Sequence, residues 1–231
     1  MIVSVIVPTF NEEDNVRTLT DKIEENLIGI KYEIIFVDDS IDETPRIIKE
    51  LVRDRKNIRL IRGQGKGLAP AVILGFQEAE GDYLCVLDAD FQHPPEMVRQ
   101  LLEKALDCQA DIVIGSRYCK GGGYAGLKGP LRKLISVCCK ELARVVFFPK
   151  LNNITDPLGG LFLIKRKIIG NVFLRPRGFK ILLEILIRCN WETVREIPYQ
   201  FALRADGQSK ADMNQGLTFL RHVAELFLTT R

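Results

Sequence analysis

Histidine is nearly missing from this chain: His93 and His222 are the only two, and they lie far apart. There is no H-x-x-x-H pair and no Cys/His cluster, so the usual zinc constellations are excluded. The six cysteines (Cys85, Cys108, Cys119, Cys138, Cys139, Cys189) contain no CxxC pair and no framework spacing. Adjacent residues such as Cys138 and Cys139 are awkward to bridge, and the set reads as small core residues of a reducing compartment. Charge of one sign is also scarce. A net charge of +3 over 231 residues does not advertise nucleic-acid binding by the whole molecule, and no nucleic-acid partner is expected. No apolar run reaches the roughly 18 residues of a membrane span. The apolar start, residues 2–7, is too short and lacks the cationic lead of a signal peptide. Neither a span nor a signal is therefore expected in the chain. The dinucleotide fingerprint G-x-G-x-x-G and the P-loop Gly-Lys-Ser/Thr are both absent, and the cluster Gly63-Gln64-Gly65-Lys66-Gly67 falls after the third predicted strand. That placement disfavours a dehydrogenase or a P-loop NTPase. A G-x-S-x-G elbow for serine hydrolysis is missing too.

What is present is an ordinary globular composition, 46% apolar and 27% charged, in a length suited to one large domain or one domain with a small appendage. Apolar strand-like runs at 2–7, 32–37, 58–61, 83–87 and 112–115 alternate with helical patterns at 13–29, 43–54, up to 79, and 95–106. Asp42 is a plausible cap for the second helix. This alternation predicts an α/β fold, an open and mostly parallel sheet flanked by helices. Such sheets bind ligands beyond the carboxyl ends of their strands, near a topological switch point. The predicted ends of strands one, two and four carry Glu12, Asp38 with Asp39, and Asp88 with Asp90. Five carboxylates on one rim would repel each other without a cation or a polar ligand. Side chains alternate along extended backbone, so Asp88 and Asp90 can point the same way. Two hard oxygen groups aimed at one place suit Mg²⁺ or Mn²⁺ held together with substrate phosphates.

The second half reads differently. Residues 120–129, with Gly121-Gly122-Gly123, suggest a mobile loop. Residues 130–148 form an amphipathic pattern with a cationic stripe of Lys133, Lys140 and Arg144 and with Arg132 beside it. This suits a helix lying in a membrane interface, or an ordinary surface helix. Residues 179–187 are apolar around most of a helical circumference, 194–198 read as a strand, and 213–230 as a further amphipathic helix.

Pro8-Thr9-Phe10-Asn11-Glu12, Val37-Asp38-Asp39-Ser40, Asp88-Ala89-Asp90-Phe91-Gln92-His93-Pro94-Pro95, Gly115-Ser116-Arg117-Tyr118 and the 204–210 segment occur in that order. Together they closely resemble the inverting family-two glycosyltransferases of the GT-A fold. Within these the resemblance is greatest to dolichyl-phosphate mannose synthases and other polyprenyl-phosphate sugar transferases, and it covers nearly the whole chain. The resemblance implies one catalytic domain, 1–231. Residues 1–118 would bind nucleotide sugar and metal, and 119–231 would bind the acceptor and carry interfacial, membrane-facing helices. By the same resemblance Pro8, Phe10, Glu12, Val37 and Asp39 cradle the nucleoside. Asp88, Asp90 and Gln92 form the metal site for Mg²⁺ or Mn²⁺, with Ala89 alongside. Arg117, Arg204 and Lys210 meet phosphates, and Arg117, Arg132 and Ser136 meet the acceptor phosphate. Asp88, Asp90 and Arg117 are the implied catalytic set.

The implied reaction moves a sugar, mannose from GDP-mannose foremost, to polyprenyl or dolichyl phosphate at the cytoplasmic side of a membrane, with the protein bound peripherally. Two departures stand out: Asp156-Pro157-Leu158-Gly159-Gly160-Leu161 carries Gly159 and Leu161 where the family has Ser and an aromatic residue, and Phe10 stands where Tyr is common. The processive signature Gln-x-x-Arg-Trp is absent. Still open are a UDP-sugar donor, a sugar hydroxyl acceptor with Asp156 as general base, and a non-catalytic nucleotide-sugar binding module.

Overall fold

The computed structural model describes residues 1–65, 67–127, 129–170, 172–175, 180–203 and 213–230. The β-branched opening forms β1 (Val3–Thr9), in which Val3, Val5, Ile6 and Val7 are fully buried. Such a strand has no solvent face, as expected at the centre of a parallel sheet. β1 pairs in parallel with β2 (Tyr32–Asp38) on one side and β4 (Tyr83–Val86) on the other, and β3 (Ile58–Arg62) extends the sheet beyond β2. With β5 (Ile112–Ser116), β6 (Phe162–Lys165) and β7 (Val194–Pro198), the sheet order is β3-β2-β1-β4-β6-β5-β7. The chain fills one side of β1 and then crosses to the other, so the switch point lies between β1 and β4.

Alternation along the strands sends side chains to two apolar layers. Ile6, Ile35, Val37 and Val86 pack with α3 (Leu68–Glu78), α6 (Ile181–Arg188) and α7 (Met213–Thr229). Val5, Val7, Ile34, Phe36 and Cys85 pack with α1 (Val16–Asn26), α2 (Thr44–Asp54) and α4 (Met97–Asp107). Asp42 accepts the Thr44 N–H at 3.0 Å just ahead of α2, whose cap position is taken by Glu43 and not by Asp42 as expected. α4 begins two residues beyond Pro95, because Met97 and Val98 first donate to Pro94 and Pro95 in a tight lead-in turn.

Two features depart from the sequence reading. β6 runs antiparallel between β4 and β5, placing Phe162 beside both Val86 and Ile114. Three apolar residues and a lysine carry no signal of direction, and the strand is defined only by its distant partners. The consequence is functional: an antiparallel strand begins where its parallel neighbours end, so the segment before β6, with Asp156 and Gly160, returns to the same rim as the tips of β4 and β5. The second departure is the glycine-rich segment after β5, which is pinned by its backbone and so corrects the expectation of a mobile loop. Gly123 N–H donates to Tyr199, Phe201 N–H donates to Gly123, and Gly126 N–H donates to Phe201, all within 2.9–3.0 Å. A Cβ on Gly126 would lie 1.9 Å from the Ala202 carbonyl oxygen. Glycine is needed here for close approach of two backbones.

Close packing also governs α3 against β1. A Cβ on Gly75 would stand 2.5 Å from Ile6 Cγ2 and 3.3 Å from Val37 Cγ2. Gly75→Ala is expected to destabilise the fold by about 1–3 kcal/mol through overpacking, despite the better helix propensity of alanine. Thermal or urea melts of the two proteins check this.

Candidate active site

The rim is built from the loops that leave β1, β2, β4 and β5, with the returning segment before β6. At the tips of β1 and β2 the acidic residues divide their work. Asp38 is fully buried; it accepts from Thr9 Oγ1 at 2.8 Å, from Ser40 Oγ, and from the Arg62 guanidinium. It ties the two strand ends together and has no face toward a ligand, which takes it out of the expected carboxylate rim. Glu12 is also buried, and its Oε2 accepts from Asn15 Nδ2 at 2.7 Å. Asp39 is partly exposed, and its Oδ1 accepts the Gly65 N–H at 2.8 Å. A Cβ on Gly63 would collide with that oxygen at 2.3 Å, so the glycine cluster serves the carboxylate of Asp39. Phe10 is 42% exposed at the mouth of the rim, an unusual position for a large ring. Pro8 is partly buried beside it. The Val37 side chain points into the core against α3, so this residue offers a ligand only its backbone.

Beyond β4, Asp88 has a partly exposed side chain, Ala89 is buried, and Asp90 is nearly so at 8%. Phe91 follows with φ of 58°. A bulky residue in that region is a backbone outlier, of the kind that collects at functional sites. Asp90 Oδ1 accepts the Gln92 N–H at 3.1 Å, and Gln92 Nε2 donates to the Ala202 carbonyl at 3.2 Å. The amide oxygen of Gln92 is the atom of this side chain that could serve a cation. Asp88 and Asp90 are hard oxygen donors, and no set of three His, Cys, Asp or Glu residues that could hold a metal occurs among the described residues. A pair of carboxylates fits a cation of the Mg²⁺ type, which takes its other ligands from water and substrate phosphates.

The second half of the chain contributes a buried ion pair. Arg117 Nε and Nη2 each donate to one oxygen of Asp156 at 2.8 Å, and the Arg117 backbone N–H adds a third bond at 3.1 Å. Arg117 is 7% exposed and Asp156 not at all. Burial opposes the charge of Arg117, but its hydrogen bonds to Asp156 outweigh this and hold its pKa well above the usual value. Glu196 on β7 braces the pair by accepting the backbone N–H groups of Thr155 and Asp156 and the Thr155 hydroxyl. On α5 (Pro130–Val146), Ser136 shares a 2.8 Å hydrogen bond with the Tyr118 hydroxyl. Arg132 lies four residues before Ser136, hence on the same helix face, and is partly buried. Lys140 Nζ sits 4.5 Å from the Tyr118 ring centre. Arg204 and Lys210 lie outside the described residues.

Three residues at the centre escaped the sequence reading. His93 is buried, and desolvation pushes its pKa down to about 4, with Asp90, Arg117, Asp156 and Lys180 all close enough to act on it. Lys180 donates to the Leu158 carbonyl at 3.1 Å; burial, reinforced by Arg117, lowers its pKa to about 8. Tyr199 is buried, and its hydroxyl is held protonated by desolvation within reach of Asp88, Asp90 and the Arg117–Asp156 pair. His93 had one available signal, its place three residues after Asp90. Lys180 and Tyr199 had none.

An open sheet with this strand order and an acidic rim at its switch point is the GT-A glycosyltransferase fold. The solved structure of glucosyl-3-phosphoglycerate synthase from Mycobacterium tuberculosis, in complex with Mn²⁺, uridine diphosphate and glucosyl-3-phosphoglycerate, superposes with a TM-score of 0.70 at 20% identity. It covers 99% of this chain and 79% of that one. The sequence profile of glycosyl transferase family 2 matches residues 4–173. Two dolichol-phosphate mannosyltransferases are similar over nearly the full chain, that of Pyrococcus furiosus at 43% identity over 228 residues and that of Saccharomyces cerevisiae at 34% over 238. The chain belongs to glycosyl transferase family 2. Alignment takes in 98% and 97% of this chain, but 64% of the Pyrococcus protein and 86% of the yeast protein.

The Arg117–Asp156 pair makes a direct prediction. Removing one partner of a buried pair strands the other charge at a cost of about 3–5 kcal/mol. Asp156→Ala should lower stability by that amount, whereas Glu141→Ala, at a partly exposed pair with Arg144, should cost under about 1 kcal/mol. Urea unfolding of both variants makes the comparison.

Proposed function

We propose that this chain transfers a hexose from a nucleotide diphosphate sugar to the phosphate of a polyprenyl lipid at a membrane surface, inverting the anomeric centre. Mannose from GDP-mannose and dolichyl phosphate are the foremost donor and acceptor, after the names of the relatives. The observation that carries the lipid acceptor is the inverted amphipathicity of α5. Only Ala143 of that helix is buried, while Leu131, Leu134, Ile135, Leu142 and Val145 are exposed, Val145 at 74%. The helix turns its apolar side outward next to the residues assigned to the acceptor phosphate. Such an exposed apolar stripe with Arg132 at its edge suits the interface of a lipid surface. Attachment to a membrane surface through the exposed apolar face of α5 belongs to the proposal; no helix among the described residues is long and apolar enough to cross a membrane.

In this reading the exposed ring of Phe10 stacks on the base, and Asp39, anchored by Gly65, turns toward the ribose. Asp88, Asp90 and the amide oxygen of Gln92 hold Mg²⁺ or Mn²⁺. When bound, the cation acts as a Lewis acid that offsets charge on the departing diphosphate. Arg117 reaches the acceptor phosphate with the Nη1 edge that Asp156 does not occupy, helped by Arg132 and Ser136. Arg204 and Lys210 complete the phosphate contacts on the strength of the family resemblance. A phosphate monoester has its second pKa near 6, so at neutral pH the acceptor already carries its nucleophilic charge. That fits a site whose nearest candidate base, Asp156, has both oxygens committed to Arg117. The same commitment disfavours a sugar hydroxyl acceptor. Positioning and electrostatics then supply the rate.

A donor panel of GDP-mannose, UDP-glucose and other nucleotide sugars, with Mn²⁺ and polyprenyl phosphate in vesicles, tests the proposal. GDP-mannose should give the glycolipid, EDTA should abolish it, and Asp90→Ala should cut kcat/KM by at least about 10²-fold. Product from a UDP-sugar alone would reassign the donor. Absence of glycolipid with every donor would overturn the reading. The lipid contact is checked separately: Leu134→Glu combined with Ile135→Glu should reduce co-sedimentation with anionic vesicles while leaving the thermal melt in place.

A further inference from the structure

His93 carries a feature that the transfer reaction as described does not use. Its Nδ1 is buried without a hydrogen-bond partner, and stands 3.5 Å from Asp88 Oδ2. A buried polar atom left unmade costs about 1–3 kcal/mol, so such an atom needs a reason. The surroundings hold the ring in place. Tyr199 and Phe201 pack on it, each at 5.6 Å between ring centres. On the other side a Cβ at Gly160 would stand 2.9 Å from His93 Cε1 and 3.3 Å from Asp88 Oδ2. The bare peptide of Gly160 lets imidazole and carboxylate lie against the same wall. A small turn of the partly exposed Asp88 side chain would close 3.5 Å to a hydrogen bond.

A neutral imidazole bears one N–H. Facing a carboxylate, the favourable arrangement places that proton on Nδ1, since a bare lone pair there would oppose the oxygen. We propose that His93 is a positioning residue for the cation site, its Nδ1–H fixing Asp88 Oδ2 so that the other oxygen, Oδ1, is turned toward the metal. The inference rests on the reading of Asp88 as a metal ligand. Partners behind a ligand commonly set its direction, and their loss weakens metal affinity by about 10–100-fold. His93 acts only through Asp88 and touches neither donor nor acceptor. The same aromatic and glycine contacts would also suit a histidine that merely fills space, and the experiment separates the two.

Mn²⁺ is titrated into the full chain by its EPR signal, with saturating GDP in one arm and UDP in the other. His93→Phe keeps a ring against Tyr199 and Phe201 but removes both nitrogens; His93→Asn keeps an N–H donor close to the Nδ1 position. The expected result is Mn²⁺ affinity about tenfold weaker in His93→Phe, largely recovered in His93→Asn, with both melting near wild type. Equal affinity in His93→Phe and wild type, or equal loss in the two variants, would overturn the proposal. In parallel, ¹⁵N imidazole spectra of the wild-type chain should show His93 as the Nδ1–H tautomer, and an Nε2–H tautomer overturns it even if a variant fails to fold. If the wild-type chain binds no Mn²⁺ in either arm, the metal reading of Asp88 itself falls, an outcome distinct from both.

Discussion

The rest of this structure depends on one parallel register, in which β1 lies between β2 and β4 with Thr9 opposite Asp38 and Ile6 opposite Val86. Once three strands point the same way, everything that follows them in sequence must emerge at one edge. Phe10, Asp39 and Asp88 meet there although 78 residues separate the first from the last. The antiparallel β6 extends the rule by reversal. Its first residue pairs with the last of β4, so the segment carrying Asp156 and Gly160 arrives at the same edge from the other direction. The two halves of the candidate site are thus joined by hydrogen bonding within one sheet.

Converging carboxylates raise an electrostatic problem, and the structure solves it by dividing tasks. Asp38 is neutralised by Arg62 and saturated by hydroxyls, and Glu12 is buried against Asn15. Both support the strand tips. Asp156 is committed to Arg117. Asp88, whose side chain is partly exposed, and Asp90 beside it are the pair whose chemistry suits a cation. Repulsion among acids does not by itself make a metal site; an arginine can answer it equally well, as it does at Asp38 and Asp156.

Much of the fold was legible because the apolar runs are long, β-branched and separated by helical periodicity. β1 to β5 and α1 to α4 fall where the alternation placed them. The limits were physical. β6 is four residues long, and its direction is a property of its partners. The glycines at 121–126 look like flexibility in sequence, but they are close-approach glycines whose need arises from residues 199–202. At the site, Asp88, Asp90, Phe10 and Asp39 were legible as strand-end residues. The buried state of Asp38 and the inward turn of Val37 were not, since neither is visible without the strand paired alongside. Arg117 was singled out as a phosphate ligand, yet its bidentate partner lies 39 residues away across a strand of opposite sense. Lys180 and Tyr199 come to the centre by tertiary folding alone.

A buried ion pair is a poor way to gain stability, because desolvating two charges consumes most of what their attraction returns. The Arg117–Asp156 pair is better understood by what it permits and forbids. It holds a cationic edge at a fixed place between Tyr118 and Phe201, where a flexible surface arginine would have to be ordered afresh for each acceptor. It also commits both oxygens of Asp156 to Arg117, which on the proposed reading disfavours Asp156 as a base. A site so arranged favours an acceptor that arrives already charged and needs only to be placed. On the proposed reading the outward apolar face of α5 supplies the route for such an acceptor, since a phosphate on a long hydrocarbon reaches protein only at the surface of its bilayer.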